Sequence, residues 1–292
     1  MASLNEIKTR INSVNSTMKI TSAMMMVSSA KLTRAQGAIG SFLPYQGKLD
    51  KILTNILSAE TGYESPFTEV RGVKKTAIVV CSSNGSLCGA YNSNIIKRFR
   101  ELYKEKRDRF GAENVLVFPV GKKVTDAAKK ANIKIEGEYE TIADKPTFEE
   151  SRALAKVLID MYVSKEIDEV EIIYSHFISA GSQKLLNYRY LPFDLSKQTT
   201  EGDSQAAGDY IFEPSKKEIL DSLIPTVLNA RLFAAFLDAN ASEYAARMVA
   251  MQTATDNARD LNGELKIQFN KQRQQEVTNQ LLDIIGGANA LG

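Results

Sequence analysis

The chain has 292 residues, with 37 Lys and Arg against 35 Asp and Glu and a net charge of +2. A prior of about 150 residues per domain allows two domains, and the near balance of charge gives no general pull towards nucleic acid or an anionic membrane. One histidine, His176, and two cysteines, Cys81 and Cys88, exclude a histidine-rich metal site, a four-thiolate zinc site and a disulfide framework.

No charged-then-apolar leader opens the chain, and no apolar run approaches the ~20 residues needed to cross a bilayer. The expectation is a protein neither secreted nor membrane-spanning, with reduced thiols in a cytosolic compartment. The near-neutral total averages unlike segments: residues 1–58 carry +5, 59–214 carry −2 and 215–292 carry −1. The basic character sits in the first segment.

From Leu4 the apolar positions step by three and four through Ile7, Ile11, Val14, Met18, Thr21, Met25, Ser28, Leu32, Ala35, Ile39 and Phe42. That is a heptad seam in which only Thr21 and Ser28 are polar. No proline precedes Pro44 and no glycine precedes Gly37, so the spacing predicts one long helix, bending near Gly37, Gly40 and Pro44 and running on to about residue 58.

The middle of the chain alternates strands and helices. Strands are predicted at 76–81, 114–119, weakly at 133–135, and at 170–177 and 184–193, with Ser179 to Ser182 as a hairpin turn between the last two. Helices are predicted at 91–106, 122–131 and 148–163. This pattern indicates a doubly wound, mostly parallel α/β domain with an antiparallel pair at the end. Residues 196–208, rich in Ser, Thr, Gln, Gly and acids, read as a surface loop.

The loop after the first strand is where a nucleotide-binding domain would hold phosphates. Gly85 and Gly89 fit neither GxGxxG nor the P-loop, and no lysine follows Gly89, so a structural turn is the better reading. Cys88 at this turn would need His176 as its imidazole partner to act as a nucleophile. His176 reads more simply as a satisfied strand residue.

Ser215 with Glu218 looks like a capping box opening a second long helix, with Pro225 as a break or kink and Gly286-Gly287 as its stop. Its stripe, Leu237, Ala241, Tyr244, Met248, Met251, Thr255, Ala258, Asn262, Leu265 and Phe269, again has heptad spacing. At 1.5 Å per residue, 215–286 would span on the order of 105 Å and 3–58 about 80 Å. A compact chain of this length has a radius of gyration near ~19 Å.

The expected architecture is therefore a long antiparallel coiled coil of the N- and C-terminal helices, 1–58 and 209–292, plus the α/β domain at 59–208. The longer C-terminal helix should overhang its partner. Its apolar end, with Leu281, Leu282, Ile284 and Ile285 and only Asp283 charged, would then need a partner to enclose it.

Lys19-Ile-Thr-Ser-Ala-Met-Met-Met-Val27 with Lys31, Ala241-Ser-Glu-Tyr-Ala-Ala-Arg-Met-Val-Ala-Met251 with Ala254 and Asn257, Leu87-Cys-Gly-Ala-Tyr-Asn92, and Val277-Thr278 with Asp283 and Gly287-Ala288 are motifs in fixed order. Together they closely resemble the gamma-subunit family of bacterial F-type ATP synthases, over the whole chain. Gln280 stands where the family has glutamate, Met25 where it often has glutamate, and Asn84-Gly-Ser where it has Asp-Arg-Gly.

The resemblance implies a non-catalytic rotor shaft (central stalk) without cofactor, metal or catalytic residues. Its coiled coil would turn inside a ring of three alpha and three beta subunits. Its α/β domain, with the epsilon subunit, would dock on the membrane c-ring, so that ion-driven rotation couples to ATP synthesis or hydrolysis. It further implies Lys8, Arg10, Lys31 and Arg34 as a basic face towards acidic lever segments of the beta subunits, with Met26 beside the lever. Arg247, Gln274, Thr278 and Gln280 would hydrogen-bond the catalytic ring, and Leu281, Leu282, Ile284 and Ile285 would form the bearing tip. The location implied is the cytoplasmic face of a bacterial membrane, peripheral and without a span.

Two other readings compete. One is a nucleotide- or sugar-phosphate-binding α/β enzyme with coiled-coil dimerisation arms, and the other is a coiled-coil chaperone or tether.

Overall fold

The computed structural model describes residues 3–58, 65–193, 213 and 215–291. The surface loop expected at 196–208 lies outside them. Two compact units are present, one of Met1–Ser28 with Met248–Gly292 and one of Ser29–Arg247.

The larger unit is built on a four-stranded sheet. Strand β1 (Thr76–Cys81) is wholly buried, as a continuous apolar run of β-branched residues requires when both faces are covered. It pairs in parallel with β2 (Val115–Val120) and with β3 (Glu169–Ser179), and β3 turns back into antiparallel β4 (Ser182–Leu191), giving the order β2-β1-β3-β4. The weak strand expected at 133–135 is a single parallel bridge between Val117 and Ile135.

Alternate residues of β1 feed two cores. Ile78 and Val80 pack with Ile95 and Phe99 of α2 (Tyr91–Phe110) and with Val124 and Ala128 of α3 (Lys122–Lys130). A short helix absent from the sequence expectations, α4 (Glu140–Asp144), precedes α5 (Phe148–Val163). On the opposite face Ala77, Val79 and Cys81 pack with Leu154 and Leu158 of α5, Leu53 and Ile56, and Leu220, Ile224, Leu228 and Phe236.

Those last residues belong to the two long helices, α1 (Leu4–Ser58) and α6 (Lys216–Leu291). The residues expected to form only a shaft therefore supply much of the core of the α/β unit. α1 runs on through Pro44 to Ser58 as expected, and α6 is not broken at Pro225, which lies inside a continuous helix. An interior proline costs ~3 kcal/mol. Around Pro225 that cost is offset by the side chains of Leu220, Ile224, Val227 and Leu228, all fully buried, at about 1.5–3 kcal/mol each. Gly286-Gly287 likewise does not end α6, a glycine costing only about 1 kcal/mol against alanine.

By length and composition α6 contains one window apolar enough to cross a membrane, with mean hydropathy 1.4 over residues that are 44% buried. The expectation that no such run exists fails on that count. In the fold, the apolar residues from Leu220 to Phe236 are core.

Both helix starts are capped by side chains. Ser3 Oγ accepts from the Glu6 N–H at 3.2 Å, and Ser215 Oγ accepts from Glu218 N–H at 3.3 Å as the capping box predicts.

A row of polar contacts fastens α6 to the sheet unit between Asp238 and Arg247. Asp238 Oδ1 accepts from the Phe177 N–H at 2.8 Å, and its Oδ2 lies 2.5 Å from His176 Nδ1. Tyr91 donates its hydroxyl to Ala239 O at 3.0 Å, Asn240 donates to Ala143 O at 2.9 Å, and Ser242 donates to Ser175 O at 2.7 Å.

The segment before β1 is held by Asp168, which accepts from Arg71 Nε at 2.7 Å and from the Lys74 and Lys75 N–H groups at 2.9 and 3.0 Å. Burial works to raise the Asp168 carboxyl, but these hydrogen bonds outweigh it and hold the group below its ordinary value.

Two predictions follow from this packing. Gly121 has φ +98°, and a Cβ there would lie 2.2 Å from Ser82 O. Gly121→Ala is expected to cost about 2–4 kcal/mol, from left-handed strain and overpacking together, as measured by denaturant unfolding. For Asp168, a depressed folded pKa contributes stability above the unfolded value of about 4 and loses it as pH falls through the folded value. Asp168→Asn is expected to lower stability at neutral pH by about 2 kcal/mol. That gap from the parent chain should narrow progressively as pH is lowered below 4, read from melts across pH.

Candidate partner-binding surfaces

In the smaller unit the two helices pair through the heptad seams. Ile7, Thr21, Ser28, Met251, Thr255, Ala258, Asn262 and Leu265 are buried, and every other seam residue from Leu4 to Met25 and from Met248 to Phe269 is half-buried. The polar members pair across the seam, Thr255 Oγ1 donating to Thr21 Oγ1 at 2.8 Å and Asn262 donating to Asn15 Oδ1 at 2.8 Å. The numbering falls on one helix as it rises on the other, so the pair is antiparallel. Buried polar pairs of this kind specify register.

The overhang follows. Every residue from Arg273 to Gly286 is exposed. Within it Leu281, Leu282, Ile284 and Ile285 are 54%, 59%, 67% and 55% exposed. Gln274, Thr278 and Gln280 are exposed as well, and the Thr278 hydroxyl donates to Gln274 O at 2.8 Å. A helix end of this composition in water is the kind of apolar surface that a partner covers.

Lys8, Arg10 and Arg34 are exposed, and Met26 is 64% exposed. Lys8 and Arg10 are two positions apart, hence about 200° apart around a helix, so these two do not lie on one face. Lys31 and Arg34, three apart, do share a face. Lys31 already has neighbours in its own unit, its Nζ lying 3.9 Å from Asp144 Oδ1 and 5.1 Å from the centre of the Tyr244 ring.

Arg247 differs most from expectation. Its Nη1 lies 2.5 Å from Glu243 Oε1 and its Nη2 donates to Ser86 O at 3.4 Å. A Cβ on Gly85 would come within 3.1 Å of Arg247 Nη2, so the glycine makes room for the guanidinium. Burial pushes the Glu243 carboxyl up, and Arg247 opposes the shift. The i, i+4 spacing of Glu243 and Arg247 was legible in the sequence; the loop under it was not.

That loop satisfies itself. Asn92 Oδ1 accepts from the Ser83 N–H at 3.1 Å, and Asn92 Nδ2 donates to Gly85 O at 3.2 Å and to Cys88 Sγ at 3.0 Å. Leu87 and Gly89 take positive φ, 67° and 58°, to make the turn. It is the structural turn that the glycine spacing suggested. His176 of β3 is engaged with Asp238 of α6, as a satisfied strand residue. Among the described residues no group of three or more His, Cys, Asp or Glu is placed to hold a metal ion.

Comparison with known proteins agrees with this arrangement. A family profile described as ATP synthase matches residues 3–291. The chain is 56% identical over 291 residues to an ATP synthase gamma chain of Bacteroides fragilis, covering 99% of this chain and all of the relative. It is 54% identical to the corresponding chain of Bacteroides thetaiotaomicron, covering 99% of each. Among solved structures, a chain of the Euglena gracilis mitochondrial ATP synthase (OSCP/F1/c-ring) superposes with a TM-score of 0.69 at 19% identity, covering 99% of this chain and 94% of that one. A chain of the Tetrahymena thermophila mitochondrial ATP synthase central stalk/c-ring gives 0.57 at 22%, covering 80% and 99%. At such identities these structures show the likeness of fold, while the bacterial relatives carry the assignment. The chain belongs to the ATP synthase gamma-chain family.

Proposed function

We propose that the chain works as the central stalk of an ATP synthase through two surfaces. The paired helices and their tip turn within the ring of alpha and beta subunits, and the α/β unit, with epsilon, docks on the c-ring. As a gamma chain it is a non-catalytic subunit of a membrane-associated complex. Its place within that complex is the cytoplasmic face of a bacterial membrane. The helices of segments 1–58 and 209–292 supply the shaft with their outer parts and, with their inner parts, join 59–208 in the docking domain.

The observation that carries the reading is the bare end of α6, where every residue from Arg273 to Gly286 is exposed and Leu281, Leu282, Ile284 and Ile285 lack cover. An apolar tip can turn in an enclosing sleeve because dispersion and hydrophobic contacts are non-directional, whereas ion pairs would hold one angle. Gln274, Thr278 and Gln280 present hydrogen-bonding groups just below the tip, and Arg247 lies further along the same helix. Lys8, Arg10, Lys31 and Arg34 supply cations that meet acidic lever segments, and Met26 supplies an apolar contact beside them. Since Lys8 and Arg10 diverge around α1, they serve different neighbours in the ring.

The purified chain is expected to show no ATP hydrolysis, with strong activity once alpha and beta subunits are added. Truncation from Leu281 should leave a complex that assembles with weakened coupling. Loss of all assembly in that variant, with the helix pair intact by circular dichroism, would refute the bearing role.

Arg247→Ala is expected to act twice. It should lower coupled ATPase activity in the complex and destabilise the isolated chain by about 3 kcal/mol, because Glu243 is left buried without its partner. A residue that only touched the ring would leave the melting of the isolated chain unchanged.

A further inference from the structure

The exposed overhang of α6, Arg273 to Gly286, sorts its residues by side. At about 100° per residue, Val277, Thr278, Leu281, Leu282, Ile284 and Ile285 fall within about 160° of arc, and Glu276, Asn279, Gln280 and Asp283 fill the opposite side. The five aliphatic side chains are each half exposed or more. A helix segregated in this way presents one face to be covered and one to water.

That face does not continue the seam with α1. The seam heptad runs on after Phe269 as Gln272, Glu276, Asn279 and Asp283, all polar, so a longer α1 would find nothing apolar to pack on. The apolar face lies about 130° around α6 from the seam residues Met251 to Phe269. Within it Gln274, Val277, Leu281 and Ile284 again step by three and four, the spacing by which one helix packs into another.

The charges along this face have a direction. Lys266, Lys271 and Arg273 stand exposed at its root and flank it on both sides, and they are the only charges from Leu265 to Gln275. At the far end α6 has no basic residue in its last turn, so the negative pole of the helix is uncompensated. A parallel helix of the same sequence would set these cations against their own copies. An antiparallel one sets them beside the negative pole, and a two-fold axis makes the contact occur twice.

We propose that this face is a self-association surface, through which two free copies of the chain pair antiparallel along the overhang of α6. The occupant is a second copy because each copy supplies both halves of the match: an apolar face of helical spacing, and a cationic root for the other's negative helix end. The stretch spans about 21 Å, which places the pair among the weak, reversible interfaces. Pairing covers the tip of unassembled chains and yields it to a partner that encloses it. The inference stands apart from the stalk role, since hydrolysis by the assembled complex neither requires nor forbids it.

The test is sedimentation equilibrium of the full-length chain at low salt, from about 1 to about 100 µM. A single monomer–dimer equilibrium is expected, with a Kd on the order of 10 µM. Leu281→Gln with Ile284→Gln should raise that Kd about tenfold or more, with helix content unchanged by circular dichroism because both side chains are exposed in the single chain. Asn279→Ala, on the opposite side, should leave it unchanged. Lys271→Gln with Arg273→Gln reads the orientation: it should weaken an antiparallel pair several-fold and would strengthen a parallel one. A monomer throughout the range would overturn the proposal, as would open-ended aggregation in place of a dimer. So would a dimer indifferent to the Leu281 and Ile284 changes, or one strengthened by removal of the cations.

Discussion

The stretch of α6 from Asp238 to Arg247 is the constraint on which the rest depends. Over these ten residues the helix is fastened to the larger unit, and beyond Arg247 it is half of a helix pair. Its inward groups bond to β3, to the α4 end, to α2 and to the 83–92 loop. Most of these bonds are buried, where an unmade one costs about 1–3 kcal/mol. Slippage by one residue would therefore break several bonds together. A member of a rotating stalk needs such a fixed root, since torque applied to a loosely packed helix would go into bending it.

The same economy of charge runs through both units. The helix seam is crossed by neutral hydrogen bonds, Thr255 to Thr21 and Asn262 to Asn15, which fix alignment without the desolvation penalty of buried ions. Ions appear inside the α/β unit where they have more than one partner. Lys106 bonds to Glu169 at 2.5 Å and also reaches Glu171, while Arg189 meets Glu169 at 3.0 Å. Arg71 lies over the Tyr162 ring at 4.4 Å while holding Asp168. Where the chain has no partner of its own, at the end of α6, charge is nearly absent.

Much of this was legible in the residues. The heptad seams are covered at every position named, because a 3–4 repeat of apolar residues can be buried only along one stripe. The run at 76–81 and the hairpin around Ala180-Gly181 were equally plain, and α5 begins and ends where its pattern does. The short helix α4 escaped because five residues carry no periodicity. That Pro225 does not break α6 escaped because a proline's local penalty is visible in sequence and the burial that offsets it is not. The contact of Arg247 with Ser86 escaped because nothing in the chain order places that loop beneath it.

The sequence by itself determined the two seams, the positions and type of the main strands, the exposed apolar tip and the family, because each rests on local spacing or on motifs in fixed order. Only the tertiary structure decided that the inner halves of α1 and α6 belong to the α/β core, that Asp238 takes the single histidine, and that Phe42, Phe177, Tyr174 and Tyr188 line one cleft. The physical reason is the same in each case. These features come from residues distant in the chain, His176 and Asp238 by 62 positions, and the chemistry of such a meeting exists only once packing has brought the groups together.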